Sequence, residues 1–251
     1  MGQNNSTRKT NTSTDYMSGF KSSSSPKGRK LPLEFYLSND VVSLSKKLLG
    51  KFLVSFLPLK KGYPRVLTAG MIVETEAYAG VEDKASHAYN NRFTQRTSTM
   101  YKQGGIAYIY LCYGIHSLFN VVTGQKGIPN AILIRAIEPY EGIEFMLKRR
   151  GKKEINHTLT SGPGALTSAL GITVKYNGTS LNGDSIWIED RGIKVQNNQI
   201  IASPRIGVGY AEEDAFLPYR FQIRGNASVS YTHLRAHETP EHLVCRLLLE
   251  K

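Results

Sequence analysis

Three neighbouring stretches decide the fold of this chain: IVETEAYAGVEDKASHAY at residues 72–89, IAYIYLCYGIHSLFNVVT at residues 106–123 and AILIRAIEP at residues 131–139. In the first stretch, period-two alternation places Ile72, Glu74, Glu76 and Tyr78 on one strand face and Met71, Val73, Thr75 and Ala77 on the other. The pattern therefore predicts a strand whose small and apolar face packs, while its opposite face carries two acids and an aromatic ring.

The second stretch predicts a β-hairpin. Tyr113-Gly114 is a turn signal between two strand-like runs, so we expect Tyr113 at or near the tip. Tyr108 and Tyr110 share one face of the first strand, and Asn120 of the returning strand is expected on the face that carries Tyr110. The stretches together predict a pocket with flat aromatic walls, an acid at its base and a tyrosine at its mouth.

The remaining sequence predicts a mixed domain. Strands are expected at about 51–58, 67–78, 106–112, 116–123, 130–137, 186–189, 205–209 and 219–224, and helices after Asn39-Asp40, at about 140–150 and from Pro163 to Gly171. With 251 residues and 40% hydrophobic content, the chain can bury one sizeable core. We expect a single catalytic domain at residues 31–230 between two tails.

The ends of the chain differ from its body in composition. Residues 1–30 are rich in Ser, Thr, Asn and Lys with hardly any apolar content, which predicts a disordered basic arm. Of the formal net charge of +12, the arm contributes six basic residues and one acid, and residues 231–251 contribute three of each. The body is therefore basic, which suits contact with phosphate groups.

No run of the sequence approaches the roughly 20 apolar residues of a membrane span, and no signal-peptide pattern is present. The sequence therefore predicts a soluble intracellular protein without a membrane partner.

The chain resembles the alkyladenine (3-methyladenine) DNA glycosylase family from about Pro32 to about Ser230, through the ordered motifs ETEAY, ASHAY, TQR, YIYLCYG, FNVVT, LIRAIEP, LTSGPGALTSALGI and RIGVGYAEE. The resemblance implies a compact α+β fold with a curved antiparallel sheet and flanking helices. It also implies an enzyme that flips alkylated or deaminated purines (3-methyladenine, hypoxanthine, ethenoadenine) out of duplex DNA. Such an enzyme hydrolyses the N-glycosidic bond and so initiates base excision repair.

The resemblance assigns the chemistry to two residues. Glu76 would be the general base for the attacking water, and Arg135 would help to hold that water and a nearby phosphate. The motif strands contain no lysine for a Schiff base, so we expect a monofunctional glycosylase. Neither a metal nor another cofactor is implied.

Five further residues would contact the DNA. The resemblance makes Tyr78, His87 and Tyr110 the side chains that sandwich the flipped base. Tyr113 would intercalate into the duplex, and Asn120 would crowd the 2-amino group of guanine. The implied partner is double-stranded DNA containing damaged purines, bound by a monomer.

Some positions depart from the family pattern. Thr97 stands where asparagine usually follows the arginine of the TxR segment, and His116 stands where tyrosine is frequent. Residues 231–251 match no part of the family and resemble a translated sequencing adapter, so we predict a non-native tail there. Without that tail, Cys112 is the only cysteine, and the remaining histidines form no metal-site pattern.

The residues alone leave two other functions open. Glu74 and Glu76 would also fit a glycoside hydrolase acting on free sugars or nucleosides, because same-face neighbours on a strand lie roughly 7 Å apart. The tip tyrosine and the basic body argue against a small substrate. A damage-binding protein without turnover is the other alternative, and the presence of both Glu76 and Arg135 argues against it. For Glu74 itself we expect a structural role.

Overall fold

The computed structural model describes residues 28–230, so most of the predicted arm and the whole predicted tail lie outside the described residues. The strands are β1 (Arg29–Lys30), β2 (Phe52–Pro58), β3 (Arg65–Tyr78), β4 (Ile106–Cys112), β5 (His116–Thr123), β6 (Asn130–Glu141), β7 (Ile186–Asp190), β8 (Ile200–Ser203) and β9 (Arg220–Ile223). The α-helices are α1 (Leu33–Tyr36), α2 (Val41–Leu48), α3 (Ile143–Arg150) and α4 (Pro163–Leu170). None of these helices has the length and apolar character needed to cross a membrane.

All strand pairs of the described sheet are antiparallel, and its main path runs β1-β7-β2-β3-β6-β5-β4. The sheet turns at β3, because its first half pairs with β2 and residues Glu74–Glu76 pair with β9 instead. Along the other edge, β6 stays paired with β3 from Ala69 to Tyr78. The change of partner curves the sheet, and the predicted α+β class with a curved antiparallel sheet is confirmed.

The predicted alternation along β3 was wrong at one point. The register against β6 shifts between Ile72 and Glu74, which marks a β-bulge. As a result, Ile72 packs in the main core together with Ala77, while Met71 packs on the opposite face. The sequence pattern had placed Ile72 with Glu74 and Met71 with Ala77. The extra residue of a bulge reverses the alternation, and a period-two pattern cannot register it.

Two helices cover one face of the sheet and begin as the sequence predicted. The carboxylate of Asp40 accepts the backbone N–H of Ser43 at 2.9 Å and so caps α2. Pro163 begins α4, and Gly171 ends it in the left-handed conformation. Buried leucines of both helices pack against the apolar face of the strands.

Two boundaries were predicted incorrectly. Arg29–Lys30, which the composition assigned to the disordered arm, forms β1 because its backbone pairs with β7. No strand forms at residues 205–209, and the neighbouring strand is β8 instead. The N–H of Ile206 bonds to a carboxylate rather than to another strand, which explains why this apolar segment stays irregular.

The two ends of α3 offer a matched pair of glycines in the left-handed region, Gly142 (φ 69°) and Gly151 (φ 61°). A Cβ on Gly142 would overlap the carbonyl oxygen of Leu67, whereas a Cβ on Gly151 would meet nothing within 4 Å. We expect Gly151→Ala to lower the free energy of unfolding by about 1–2 kcal/mol through backbone strain alone. Gly142→Ala should lower it by at least about 1 kcal/mol more because of the overlap. Urea unfolding measures both, and equal losses would contradict the packing argument.

Candidate active site

The predicted site residues lie on four adjacent strands of the curved sheet and on the loop after β3. Cross-strand register places Glu76, Leu133, Asn120 and Tyr108 in one row. With strands about 4.8 Å apart, the row extends about 14 Å from the acid to the aromatic end. The hairpin therefore has the predicted register, and Asn120 shares the face of the β4 tyrosines.

Glu76 lies at one end of this row and is wholly buried. Its Oε2 accepts the hydroxyl of Tyr78 at 2.9 Å and Nη1 of Arg135 at 3.2 Å. Its Oε1 accepts the backbone N–H of Ile206 at 2.8 Å. A buried carboxylate requires such donors, and Arg135 supplies the compensating charge. Burial lowers the pKa of Arg135, but the two neighbouring glutamates raise it by more, so the guanidinium keeps its charge.

Glu74 is equally buried and, like Glu76, accepts three described hydrogen bonds. Its oxygens accept Nε of Arg135 at 3.1 Å, the hydroxyl of Ser230 at 2.8 Å and the backbone N–H of Ser230 at 2.7 Å. Nε of Arg220 also lies 3.3 Å from Oε1, although without hydrogen-bond geometry. These contacts tie three parts of the chain together, which agrees with the structural role expected for Glu74.

The aromatic side of the site is formed by His87, Tyr108 and Tyr110. His87 Nδ1 lies 3.0 Å from the Tyr108 hydroxyl, and the His87 ring meets the Tyr110 ring edge-on at 4.7 Å. Burial raises the pKa of Tyr110, and burial followed by the charge of Glu76 raises that of Tyr78. Both tyrosines therefore stay neutral at physiological pH.

Two further predicted residues have well-defined positions. Tyr113 lies at the tip of the β4–β5 hairpin, as the turn signal predicted, with a left-handed backbone (φ 52°) and 68% of its surface exposed. Asn120 is buried, and its Nδ2 donates to the carbonyl oxygen of Tyr108 at 3.1 Å. The hairpin turn thus sets the position of Tyr113, and a hydrogen bond to the backbone sets that of the Asn120 side-chain amide.

The model of the methylpurine-DNA glycosylase family matches residues 34–227. The chain belongs to that family. Curated relatives include proteins of Chlamydia abortus, 50% identical over 194 residues (77% of this chain, 97% of the relative), and of Chlamydia felis, 49% identical over 194 residues (77% and 95%). A protein of Clostridium acetobutylicum is 45% identical over 208 residues (80% and 97%). All three carry the provisional name 3-methyladenine DNA glycosylase.

Membership makes the chain a DNA glycosylase, a hydrolase of N-glycosidic bonds in DNA. The predicted family and enzyme class are therefore confirmed.

Sequence reasoning missed a buried ion pair of this glycosylase. Arg205 donates through Nη2 to Asp83 Oδ1 at 2.8 Å and through Nη1 to the carbonyl of Ala77 at 2.8 Å. Its guanidinium carbon lies 4.9 Å from the centroid of the Tyr78 ring. The pair therefore braces Tyr78. Both residues stand inside quoted or neighbouring motifs, but nothing in the sequence pairs positions 122 residues apart.

The two departures from the family pattern now have local explanations. Thr97 is buried, accepts the N–H of Thr94 at 2.8 Å and donates to the carbonyl of Arg92 at 2.9 Å, so it closes the loop after His87. The ring of His116 packs against the backbone of Gly164 at the start of α4.

Two open grooves of about 690 and 650 Å³ lie elsewhere on the protein and contain none of the predicted site residues. Lysine is the most frequent residue in the lining of each, with five in the first groove and four in the second. Within residues 28–230, no group of three His, Cys, Asp or Glu side chains is placed to hold a metal ion.

We expect Arg205→Gln to lower the free energy of unfolding by about 3–5 kcal/mol, because it leaves Asp83 buried without a compensating charge. Lys84→Gln is the matched control. Lys84 pairs with the exposed carboxylates of Glu212 and Glu213, so its loss should change stability little. Chemical unfolding of both variants measures the difference, and similar losses would refute a structural role for the buried pair.

Proposed function

We propose that this glycosylase extrudes alkylated or deaminated purines, such as 3-methyladenine, hypoxanthine and ethenoadenine, from duplex DNA and releases them by hydrolysis. The observation that carries the proposal is the row from buried Glu76, held by Arg135, to the ring cluster of His87 and Tyr110. In the proposal, Glu76 is the floor of the base pocket and the rings of His87 and Tyr110 form its walls. Extrusion is required because the glycosidic bond is inaccessible inside the base stack.

Glu76 has the hydrogen-bonding capacity that a general base needs. A carboxylate oxygen can accept two hydrogen bonds, and in the described part of the chain Oε1 accepts one, from Ile206. A water can donate to the remaining lone pair. In the reaction its proton passes to Glu76, its oxygen bonds to the anomeric carbon, and the electron pair of the broken bond leaves with the base. The negative charge of the site also stabilises the oxocarbenium-like sugar.

Tyr78, Tyr110 and His87 supply the surfaces for the flipped base. Stacking on an aromatic side chain contributes about 1–3 kcal/mol per base and tolerates different bases. The two tyrosines are neutral, since burial raises their pKa values. Their flat faces therefore suit several purine lesions.

Tyr113 fits the part of an intercalating wedge. Its exposed ring stands on a short hairpin turn, and such a residue can fill the gap left by the extruded nucleotide. We propose that the protein acts as a monomer on double-stranded DNA, with its basic surface on the phosphates. Such an enzyme would work inside the cell, at the nucleoid or in a nucleus.

The proposal is tested by single-turnover base release from duplexes that carry hypoxanthine, ethenoadenine or 3-methyladenine. Glu76→Gln should abolish release but retain binding to the same duplexes, because the amide keeps the shape and cannot accept the proton. Glu74→Gln is the comparison and should slow release less. A single-turnover release rate for Glu76→Gln within about tenfold of the wild-type rate would contradict the assignment of Glu76 as the general base.

The same assay separates the two alternative functions. Faster release from free nucleosides than from duplex DNA would favour a small-substrate hydrolase. Binding of lesion duplexes without any release by the wild-type protein would favour a damage-binding protein. Glu74 is tied to Ser230 and lies beside Arg220, and these contacts support a structural role for it rather than that of a second catalytic acid.

Asn120 offers a test of base selection. Its fixed, buried amide stands in the row beside Tyr108, where it would press on the 2-amino group of a guanine. We expect Asn120→Ala and Asn120→Ser to raise the excision of guanine-derived bases relative to hypoxanthine. The ratio is decisive, because a pocket mutation can slow both reactions. A ratio that stays at the wild-type value would show that Asn120 is not the filter.

A further inference from the structure

A positive charge lies on the wall of the proposed base pocket. The guanidinium carbon of Arg96 is 4.8 Å from the centroid of the Tyr110 ring, and Arg96 Nη2 is 3.4 Å from His87 Nε2. Among the residues that the structure describes, no carboxylate lies within salt-bridge distance of Arg96. No ion pair within residues 28–230 therefore compensates this charge.

The contact with His87 has a consequence for the imidazole. A guanidinium N–H can only donate, so a hydrogen bond between Arg96 and His87 requires Nε2 to accept, which is the tautomer with the ring proton on Nδ1, 3.0 Å from the hydroxyl of Tyr108. Arg96 also opposes the effect of burial on Tyr108 and Tyr110, whose pKa values burial raises. The charge therefore acts on all three rings of the cluster.

The loop that carries Arg96 is built to hold it in place. Asn90 and Asn91 adopt left-handed backbone conformations (φ 54° and 56°), and the buried hydroxyl of Thr97 binds both Thr94 and Arg92. A loop restrained at both ends positions a side chain with little loss of entropy on binding. The location of the guanidinium beside Tyr110 is thus a property of the folded loop.

We propose that Arg96 is a specificity-determining residue that disfavours formally cationic purines relative to neutral ones; this rests on the function proposed above. Methylation at N3 or N7 leaves the purine of a nucleotide with a positive charge, whereas hypoxanthine and ethenoadenine are neutral. A cationic base on Tyr110 would meet the exposed guanidinium of Arg96 as a like charge beside the same ring. A neutral base meets no such repulsion and can use the same ring.

The discrimination proposed for Arg96 agrees with the different strengths of the glycosidic bonds in the two kinds of lesion. A positive charge on the base weakens the glycosidic bond by itself, so cationic lesions need less help from binding. Neutral lesions have a stronger bond and depend more on stacking and positioning in the pocket. A fixed positive charge that repels only cationic bases therefore leaves the full binding energy available to the neutral lesions, whose glycosidic bonds break more slowly.

The test compares 3-methyladenine with ethenoadenine, which share an adenine framework but differ in charge. Both are measured in the same duplex sequence, by single-turnover release and by equilibrium binding in the Glu76→Gln background, which reads the pocket without turnover. Arg96→Gln should raise the affinity for the 3-methyladenine duplex, relative to the affinity for the ethenoadenine duplex, about tenfold. Arg96→Lys keeps the charge and should raise the ratio much less.

Arg92→Gln is the matched control, because it removes one positive charge from the same loop while Arg92 contacts the loop only through its backbone in the described structure. The proposal is overturned if Arg92→Gln moves the ratio as much as Arg96→Gln. It is also overturned if Arg96→Gln weakens binding to both lesion duplexes equally, because that result would indicate that Arg96 contacts a DNA phosphate. If the wild type binds both lesions but releases neither, the proposed function fails, while the binding ratio still decides the role of Arg96.

Discussion

The guanidinium of Arg135 between two buried carboxylates is the interaction on which the site depends. Its Nε bonds to Glu74 and its Nη1 to Glu76, so one cation serves two acids that are both removed from water. The register explains how it reaches both. Glu74 pairs with Ala136 and Thr75 with Ile134, so Arg135 is the unpaired residue of a bulge on β6. A bulge redirects a side chain, and here it turns the guanidinium between the acids.

The two acids differ because their donors differ. Glu74 is held by the backbone and side chain of Ser230 and lies beside Arg220, whereas Glu76 accepts the hydroxyl of Tyr78 and the backbone N–H of Ile206. Each acid has one oxygen that accepts a single described hydrogen bond, so the identity of the neighbours and not their number distinguishes the two. The neighbours Ile206, Arg220 and Ser230 lie more than 100 positions away in the sequence.

Much of the local structure follows from the sequence, and the exceptions have physical causes. The hairpin of β4 and β5 and the helix from Pro163 to Gly171 were predicted with the observed bounds, because alternation, turn and cap signals act over a few residues. The bulge after Ile72 and the irregular segment at Ile206 were not predictable in this way. Both are set by long-range hydrogen bonds, and no local pattern encodes a partner such as Arg205 for Asp83.

The residues proposed for chemistry and the residue proposed for selectivity lie on different kinds of element. Glu76 and Arg135 lie on paired strands at the centre of the sheet, where a shift of position would disturb many backbone hydrogen bonds. Arg96 lies on a loop that is closed by Thr97, and its guanidinium lies beside the ring of Tyr110 on β4. A substitution in that loop can change the charge presented to a base without disturbing the buried acids. The position on a loop thus makes the proposed selection among lesions separable from the proposed hydrolytic residues.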